Sequence, residues 1–170
     1  GRTFCAAINA VNYLKIKDYH FYAFDSFQGL PETNSKEDGI FKKGTFNTST
    51  SQFNKIVKRN TGYRMPDSNI IKGFYKDSLD HKLQSRLPKA GIIHIDVDLY
   101  SSTVEVLKFL KPLLVPGSLI LFDDWYCFPP GKKQGELKAF KEFQKNNPSL
   151  KVEEWKNYST FGKSFFVTKI

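Results

Sequence analysis

Gly91-Ile92-Ile93-His94-Ile95-Asp96-Val97-Asp98 is a mostly apolar run that ends in two acids, and Ser118-Leu119-Ile120-Leu121-Phe122-Asp123-Asp124 repeats the pattern. Short apolar runs with acids or turn residues at their ends read as buried strands. Between them, Val104, Leu107, Leu110 and Leu114 continue as a helical stripe. Ser102 and Glu105 have the spacing of a capping box at the start of that helix, and Pro112 with Pro116-Gly117 ends it. Strand, helix, strand is a βαβ unit, whose strands are parallel and whose crossover is right-handed.

The same alternation extends in both directions. Phe4, Ile8, Val11 and Leu14 predict a helix over 2–16, and the aromatic Phe21 to Phe27 a strand that ends at Asp25. Residues 28–50 are rich in Gly, Pro, Ser, Thr, Asn and Lys, without sustained periodicity, and read as a lid or binding loop or as a partly disordered segment. Phe53, Ile56 and Val57 mark a helix over 50–60, Asn69 to Phe74 a strand, and Asp77 to Leu87 a turn with a short helix. A helix over 133–146 and strands over Lys151–Trp155 and Ser164–Ile170 close the chain. Alternating β and α throughout predicts an open α/β sheet, with residues 1–170 as one domain.

Composition sets the outer limits. The 170 residues are 40% apolar and 25% charged, enough for a real core, which excludes disordered, collagenous and low-complexity classes. Two cysteines are too few for a stapled secreted scaffold, and no apolar run is long enough to span a bilayer. The expectation is therefore a cytoplasmic protein with reduced thiols and no membrane partner. Lys and Arg outnumber Asp and Glu by 26 to 17, a net charge of +9 that would steer anionic partners. The lysines Lys15, Lys17, Lys42, Lys43, Lys55, Lys58, Lys132 and Lys133 are spread along the chain, however, and no motif interleaves them with exposed aromatics. A basic nucleic-acid-binding module is thus the weaker alternative.

The acids carry more information. Asp96 and Asp98 are two apart and share one face of an extended segment, and Asp123 and Asp124 stand at the corresponding end of the next strand. Neighbouring strands are ~4.8 Å apart, so four carboxylates gather at the carboxyl edge, where open α/β sheets bind ligands. Their repulsion needs a remedy: a divalent cation held by three of them, pairing with basic residues, or protonation at raised pKa. Asp98 and one of the Asp123–Asp124 pair would alternatively only cap the segments that follow. His94 points to the face of Asp96 but deeper, and reads as a hydrogen-bonded buried histidine. Asp25, at the end of an earlier strand, has the placement of an acid that accepts from ribose hydroxyls.

Four motifs then occur in order: Phe24-Asp25-Ser26-Phe27-Gln28-Gly29-Leu30-Pro31-Glu32, Ile71-Lys72-Gly73-Phe74-Tyr75-Lys76-Asp77-Ser78-Leu79, Ile95-Asp96-Val97-Asp98-Leu99-Tyr100-Ser101-Ser102-Thr103, and the run from Leu114 through Val115-Pro116-Gly117 to Asp123-Asp124-Trp125. Over about residues 1–145 the chain resembles the macrocin O-methyltransferase family of S-adenosylmethionine- and metal-dependent sugar methyltransferases. The resemblance implies a Rossmann-like class I methyltransferase sheet. It places that family's first strand and glycine loop before Gly1, so the chain is expected to lack them, with Gly1-Arg2-Thr3 as the loop's tail.

By that resemblance, Asp25 would hold the ribose of S-adenosyl-L-methionine, with Ser26 and Phe27 beside the adenosine, Gly73, Asp77 and Ser78 bordering the adenine, and Thr3 near the methionine carboxylate. Asp96, Asp123 and Asp124 would bind Mg²⁺, and Asp98 would be the general base. The acceptor would be a sugar or glycoside hydroxyl, with a catechol or another diol as the alternative. The loop with Lys36, Lys42 and Lys43 would close over the site, and Trp125 and Tyr126 are candidates to stack on a sugar ring, with core packing as the alternative for Trp125. The sequence leaves room for a homo-oligomer.

Overall fold

The computed structural model describes residues 1–33, 39, 41–129 and 134–170, which form two compact units: 1–31 with 43–78, and 32–42 with 79–170. Lys36, Lys132 and Lys133, named above for the loop and the basic surface, lie outside the described residues.

The first unit contains helix α1 (Arg2–Tyr13), strand β1 (Ala23–Asp25), helix α2 (Thr50–Thr61), strand β2 (Ile70–Lys72) and the single turn α3 (Tyr75–Ser78). β1 and β2 are parallel, with Ala23 opposite Ile70 and Asp25 opposite Lys72. Cys5, Ile8, Ala23, Phe27, Phe53, Val57 and Met65 form its core, edged by Phe4, Phe21 and Tyr63. The boundaries follow local chemistry. Ser49 caps α2 by accepting from Gln52 N at 3.1 Å, and Gly62, at φ 72°, closes it in the left-handed conformation that favours glycine. β1 is shorter than its aromatic run predicts. The Phe21 carbonyl accepts from Asn69 Nδ2 at 3.0 Å, and Phe27 turns to φ 53° with its N–H on the Asp25 carboxylate. α1 likewise stops at Tyr13, because Lys15 adopts φ 55°.

The second unit holds the one-turn helix α4 (His81–Gln84), β3 (Ile92–Ile95), α5 (Tyr100–Leu110), β4 (Leu119–Phe122), α6 (Gly135–Asn146), β5 (Lys151–Asn157) and β6 (Lys163–Lys169). Its sheet runs β3-β4-β6-β5, with β3 and β4 parallel and β6 antiparallel to both β4 and β5. The βαβ unit therefore forms as predicted, with α5 as its crossover. The fully buried Ser118 locks its base: its hydroxyl accepts from Val115 N at 2.9 Å and donates to Ala90 O at 2.6 Å. Phe122, Phe140 and Phe165 are buried with Trp125, their ring centroids 4.8–6.0 Å apart. Aromatic pairs in such tilted arrangements contribute about 0.5–1.5 kcal/mol each beyond their buried area.

Two sequence expectations need correction here. The capping box does not form: α5 begins at Tyr100, and Ser102 is buried inside its first turn. Burial of Leu99 sets the entry instead, and its carbonyl accepts from Thr103 N at 3.0 Å and Thr103 Oγ1 at 2.8 Å. Glu105 pairs with Lys108 at 3.1 Å. The apolar run of β3 is also not buried throughout, since Ile92 is 71% exposed.

Candidate active site

In the second unit the carboxyl ends of β3 and β4 lie side by side, Ile95 opposite Phe122, and each continues into its acid pair. The Asp123 N–H donates to the Ile95 carbonyl at 2.9 Å, carrying the ladder one step beyond the strands. Val97 is buried, which leaves Asp96 and Asp98 on the opposite side of the segment. Asp98 then takes φ 59°, a left-handed conformation that Asp tolerates better than most residues. All four acids thus reach one sheet edge.

Their electrostatics show the crowding. Burial pushes the Asp98 carboxyl up to about 8, helped by the charges of Asp124 and Asp96. Asp124 is raised to about 6, again by burial first and then by Asp96 and Asp123. Asp98 and Asp124 share a hydrogen bond that raises the one and lowers the other, so Asp98 holds the proton and Asp124 accepts. Cys127, one of two free thiols, is pushed up to about 12 by burial and by the nearby Asp124.

Sequence reasoning missed two members of this cluster. Glu136, in the first turn of α6, is 0% exposed, and its carboxylate accepts from Val97 N at 3.4 Å and Asp124 N at 3.0 Å. Burial and the charge of Asp124 hold it well above the usual carboxylate range. A glutamate in an amphipathic helix reads as solvated, and the one signal was the glycine before it. Gly135 sits at φ 54°, where an added Cβ would lie 2.5 Å from Phe128 Cε2, so the helix start is pressed against its neighbours. Tyr158, in the turn between β5 and β6, donates to Asp123 Oδ1 at 3.1 Å and lies 3.4 Å from His94 Nε2. His94 Nε2 is itself 3.6 Å from Asp123 Oδ1, so His94 is half-buried beside the acids rather than set deep in the sheet.

The aromatic candidates divide. Trp125 is 4% exposed and packs in the core, while Tyr126 is 39% exposed, with its hydroxyl donating to Asn157 Oδ1 at 3.3 Å. Lys163 lies between the rings of Trp125, Tyr126 and Phe165 and pairs with Glu154 at 2.7 Å.

The three expected metal ligands are not gathered around one point: among the described residues no three His, Cys, Asp or Glu side chains have metal-holding geometry. Tyr158 engages Asp123 and Asp98 engages Asp124, which turns those carboxylates toward protein partners. The donor set itself is all carboxylate oxygen at Asp96, Asp123 and Asp124, the ligand type a hard cation takes.

The first unit brings together six of the seven expected cofactor residues at the carboxyl ends of β1 and β2. Gly73 N donates to the Asp25 carbonyl at 3.0 Å, joining the two strand ends. Ser26 Oγ bonds Gly29 O at 2.7 Å, and Ser78 Oγ bonds Gly73 O at 3.2 Å and Phe74 O at 3.0 Å. Gly73 is at φ 142°, and an added Cβ would meet Ser78 Cβ at 3.0 Å, so only glycine fits. Asp25 and Asp77 are exposed, whereas the Phe27 ring is buried against Phe53, at a centroid distance of 6.0 Å. Thr3 is exposed on the first turn of α1, and none of these bonds reaches it.

Comparison with known proteins bears on this arrangement. The chain is 29% identical over 110 residues to the 8-demethyl-8-(2,3-dimethoxy-alpha-L-rhamnosyl)-tetracenomycin-C 4'-O-methyltransferase of Streptomyces olivaceus, covering 59% of this chain and 40% of that protein. It is 28% identical over 122 residues to the mycinamicin III 3''-O-methyltransferase of Micromonospora griseorubida, covering 67% and 46%. The chain thus spans less than half the length of these curated relatives. Among solved structures, the calicheamicin methyltransferase CalS11 matches 98% of this chain and 68% of its own, with a TM-score of 0.71 and 14% identity. The O-methyltransferase NovP matches 97% and 66%, with a TM-score of 0.61 and 18% identity. These likenesses establish the fold as that of class I O-methyltransferases. The sequence model of macrocin-O-methyltransferase (TylF) matches residues 4–158, so the chain belongs to the macrocin O-methyltransferase family.

Proposed function

We propose that this protein transfers a methyl group from S-adenosyl-L-methionine to a hydroxyl of a sugar on a glycosylated small molecule, in a Mg²⁺-dependent reaction. The observation that carries the reading is the pair of acid pairs at the ends of adjacent parallel strands, crowded enough that burial and mutual charge raise both Asp98 and Asp124. The names of the relatives support a glycoside acceptor.

Asp25, at the exposed end of β1, accepts from the ribose hydroxyls, and the backbone around Ser26, Phe27, Gly73, Asp77 and Ser78 shapes the nucleoside edge; Thr3 meets the methionine carboxylate. Asp96, Asp123 and Asp124 are the residues that would hold Mg²⁺, and Tyr158 and Asp98 would release the carboxylate oxygens they engage here. When bound, the ion lowers the pKa of the acceptor hydroxyl. Asp98 accepts the hydroxyl proton as the oxygen attacks the sulfonium methyl carbon. The C–O bond forms, the C–S bond breaks and the thioether leaves. Asp98 can take that proton only once its own is gone, which requires the local negative charge to be balanced. Much of the remaining acceleration comes from holding oxygen, carbon and sulfur in line.

Transfer of radiolabelled methyl from S-adenosylmethionine to a panel of glycosides and catechols, with Mg²⁺ or with chelator, tests the reading. Labelled glycoside that disappears with chelator is the expected result; labelling of catechols alone would move the acceptor to diols. Calorimetry showing no cofactor binding with or without Mg²⁺ would refute it.

A further inference from the structure

The four aspartates sit on two separate strand ends, and one side chain bonds to both. Glu136 Oε1 accepts from Val97 N, between Asp96 and Asp98, and Oε2 accepts from Asp124 N, beside Asp123. The side chain is fully buried, so these N–H groups have traded water for the carboxylate. Glu136 reaches them because α6 starts hard against the site, where Gly135 at φ 54° leaves room for Phe128 and for the Asp98 carbonyl, 3.4 Å from a Cβ built there. Backbone bonds set where an aspartate's Cα stands and which way its side chain leaves, so a shift at either strand end would move one acid pair relative to the other.

We propose that Glu136 is a positioning residue: its two oxygens tie the loop of Asp96 and Asp98 to that of Asp123 and Asp124 and fix the spacing at which the acids act. This rests on the function proposed above only for its catalytic consequence. The tie can be measured without it.

The test compares the whole chain with Glu136→Gln, which keeps the shape and one acceptor oxygen, and Glu136→Leu, which keeps neither acceptor. Amide hydrogen exchange is read first, in metal-free protein. Exchange should speed up at residues 96–99 and 123–126, more in E136L than in E136Q, while β1, α1 and α2 stay at wild-type rates. Exchange that rises everywhere marks a global loss of stability, and unchanged exchange in both variants means no tie; either outcome overturns the proposal. Mg²⁺ titration by calorimetry is read second, and loss of an outer partner should weaken binding about 10–100-fold. Turnover should fall in E136Q at an unchanged KM for S-adenosylmethionine. Variants that bind Mg²⁺ and turn over like wild type would overturn the proposal even with faster exchange. A wild-type protein that binds no Mg²⁺ would sink the proposed function, leaving the exchange pattern to decide the tie.

Discussion

Replacing Asp98 by Asn should remove much of the pH dependence of this protein's stability over a defined window. Asp98 is raised from 3.8 to about 8 by burial and by Asp124 and Asp96. The folded state therefore keeps a proton that the unfolded chain releases near pH 4, so the carboxyl's stabilising contribution is complete below that pH. It is lost progressively as pH climbs toward 8. At 1.36 kcal/mol per pKa unit the full effect would be about 6 kcal/mol; screening at a carboxyl partly open to water reduces this to about 2–3 kcal/mol. Asp124, raised to about 6, adds loss in the lower part of the same window. Urea unfolding at pH 5, 6, 7 and 8 with chelator present measures it. Wild type should weaken by about 2–3 kcal/mol more than Asp98→Asn across the series, leaving the variant the more stable protein at pH 8. Mg²⁺ at a hundred times its dissociation constant should return about 2.7 kcal/mol to wild type there. Parallel curves for the two proteins would refute the reasoning, because the crowding at this edge would then not be felt.

In turnover assays Asp98→Asn should abolish methyl transfer, while calorimetry finds S-adenosylmethionine bound with nearly wild-type affinity; retained turnover would remove Asp98 as the base. Gly73→Ala places a Cβ 3.0 Å from Ser78 Cβ at φ 142°, so cofactor binding should weaken about tenfold or more, at a strain cost of about 1–3 kcal/mol. The Mg²⁺-induced stabilisation should be unchanged in the same protein. Cys127, pushed up to about 12, should react with a disulfide reagent at pH 8 far more slowly than in urea-unfolded protein; equal rates would place it outside the acidic environment.

Periodicity made the scaffold legible. The run from Gly91 to Asp124 showed a βαβ unit because strand burial and helix amphipathicity impose different repeats on the same apolar residues. Pairs of acids at both strand ends pointed to the ligand edge for the same reason, since their position on a strand fixes which edge they reach. What escaped notice depended on contacts distant in sequence. Glu136 bonds residues 39 and 12 positions away, and Tyr158 reaches an aspartate 35 away; apart from the glycine before Glu136, nothing in their neighbourhoods marks either. The false capping box shows the converse. Ser102 and Glu105 have the right spacing, but burying Leu99 moved the helix start ahead of them. A local signal lost to a tertiary one.

The reversed direction of β6 has a consequence for how the protein could change over time. Because β6 runs opposite to β4, it begins where β4 ends, and Lys163 stands opposite Phe122 at the acid edge. The turn before it, which bears Tyr158 and Phe161, is attached to the loop after β4 by the bond from Tyr126 N to Phe161 O at 3.0 Å. A parallel last strand would have put that turn at the far edge. Here the β5–β6 turn instead lies beside the acid edge, with Tyr158 bonded to Asp123. Side chains of this turn that make no bond to the aspartates, such as the 51% exposed Phe161, can change while β3 and β4 keep their register, so the surface beside the acids can vary without disturbing the strands that carry them.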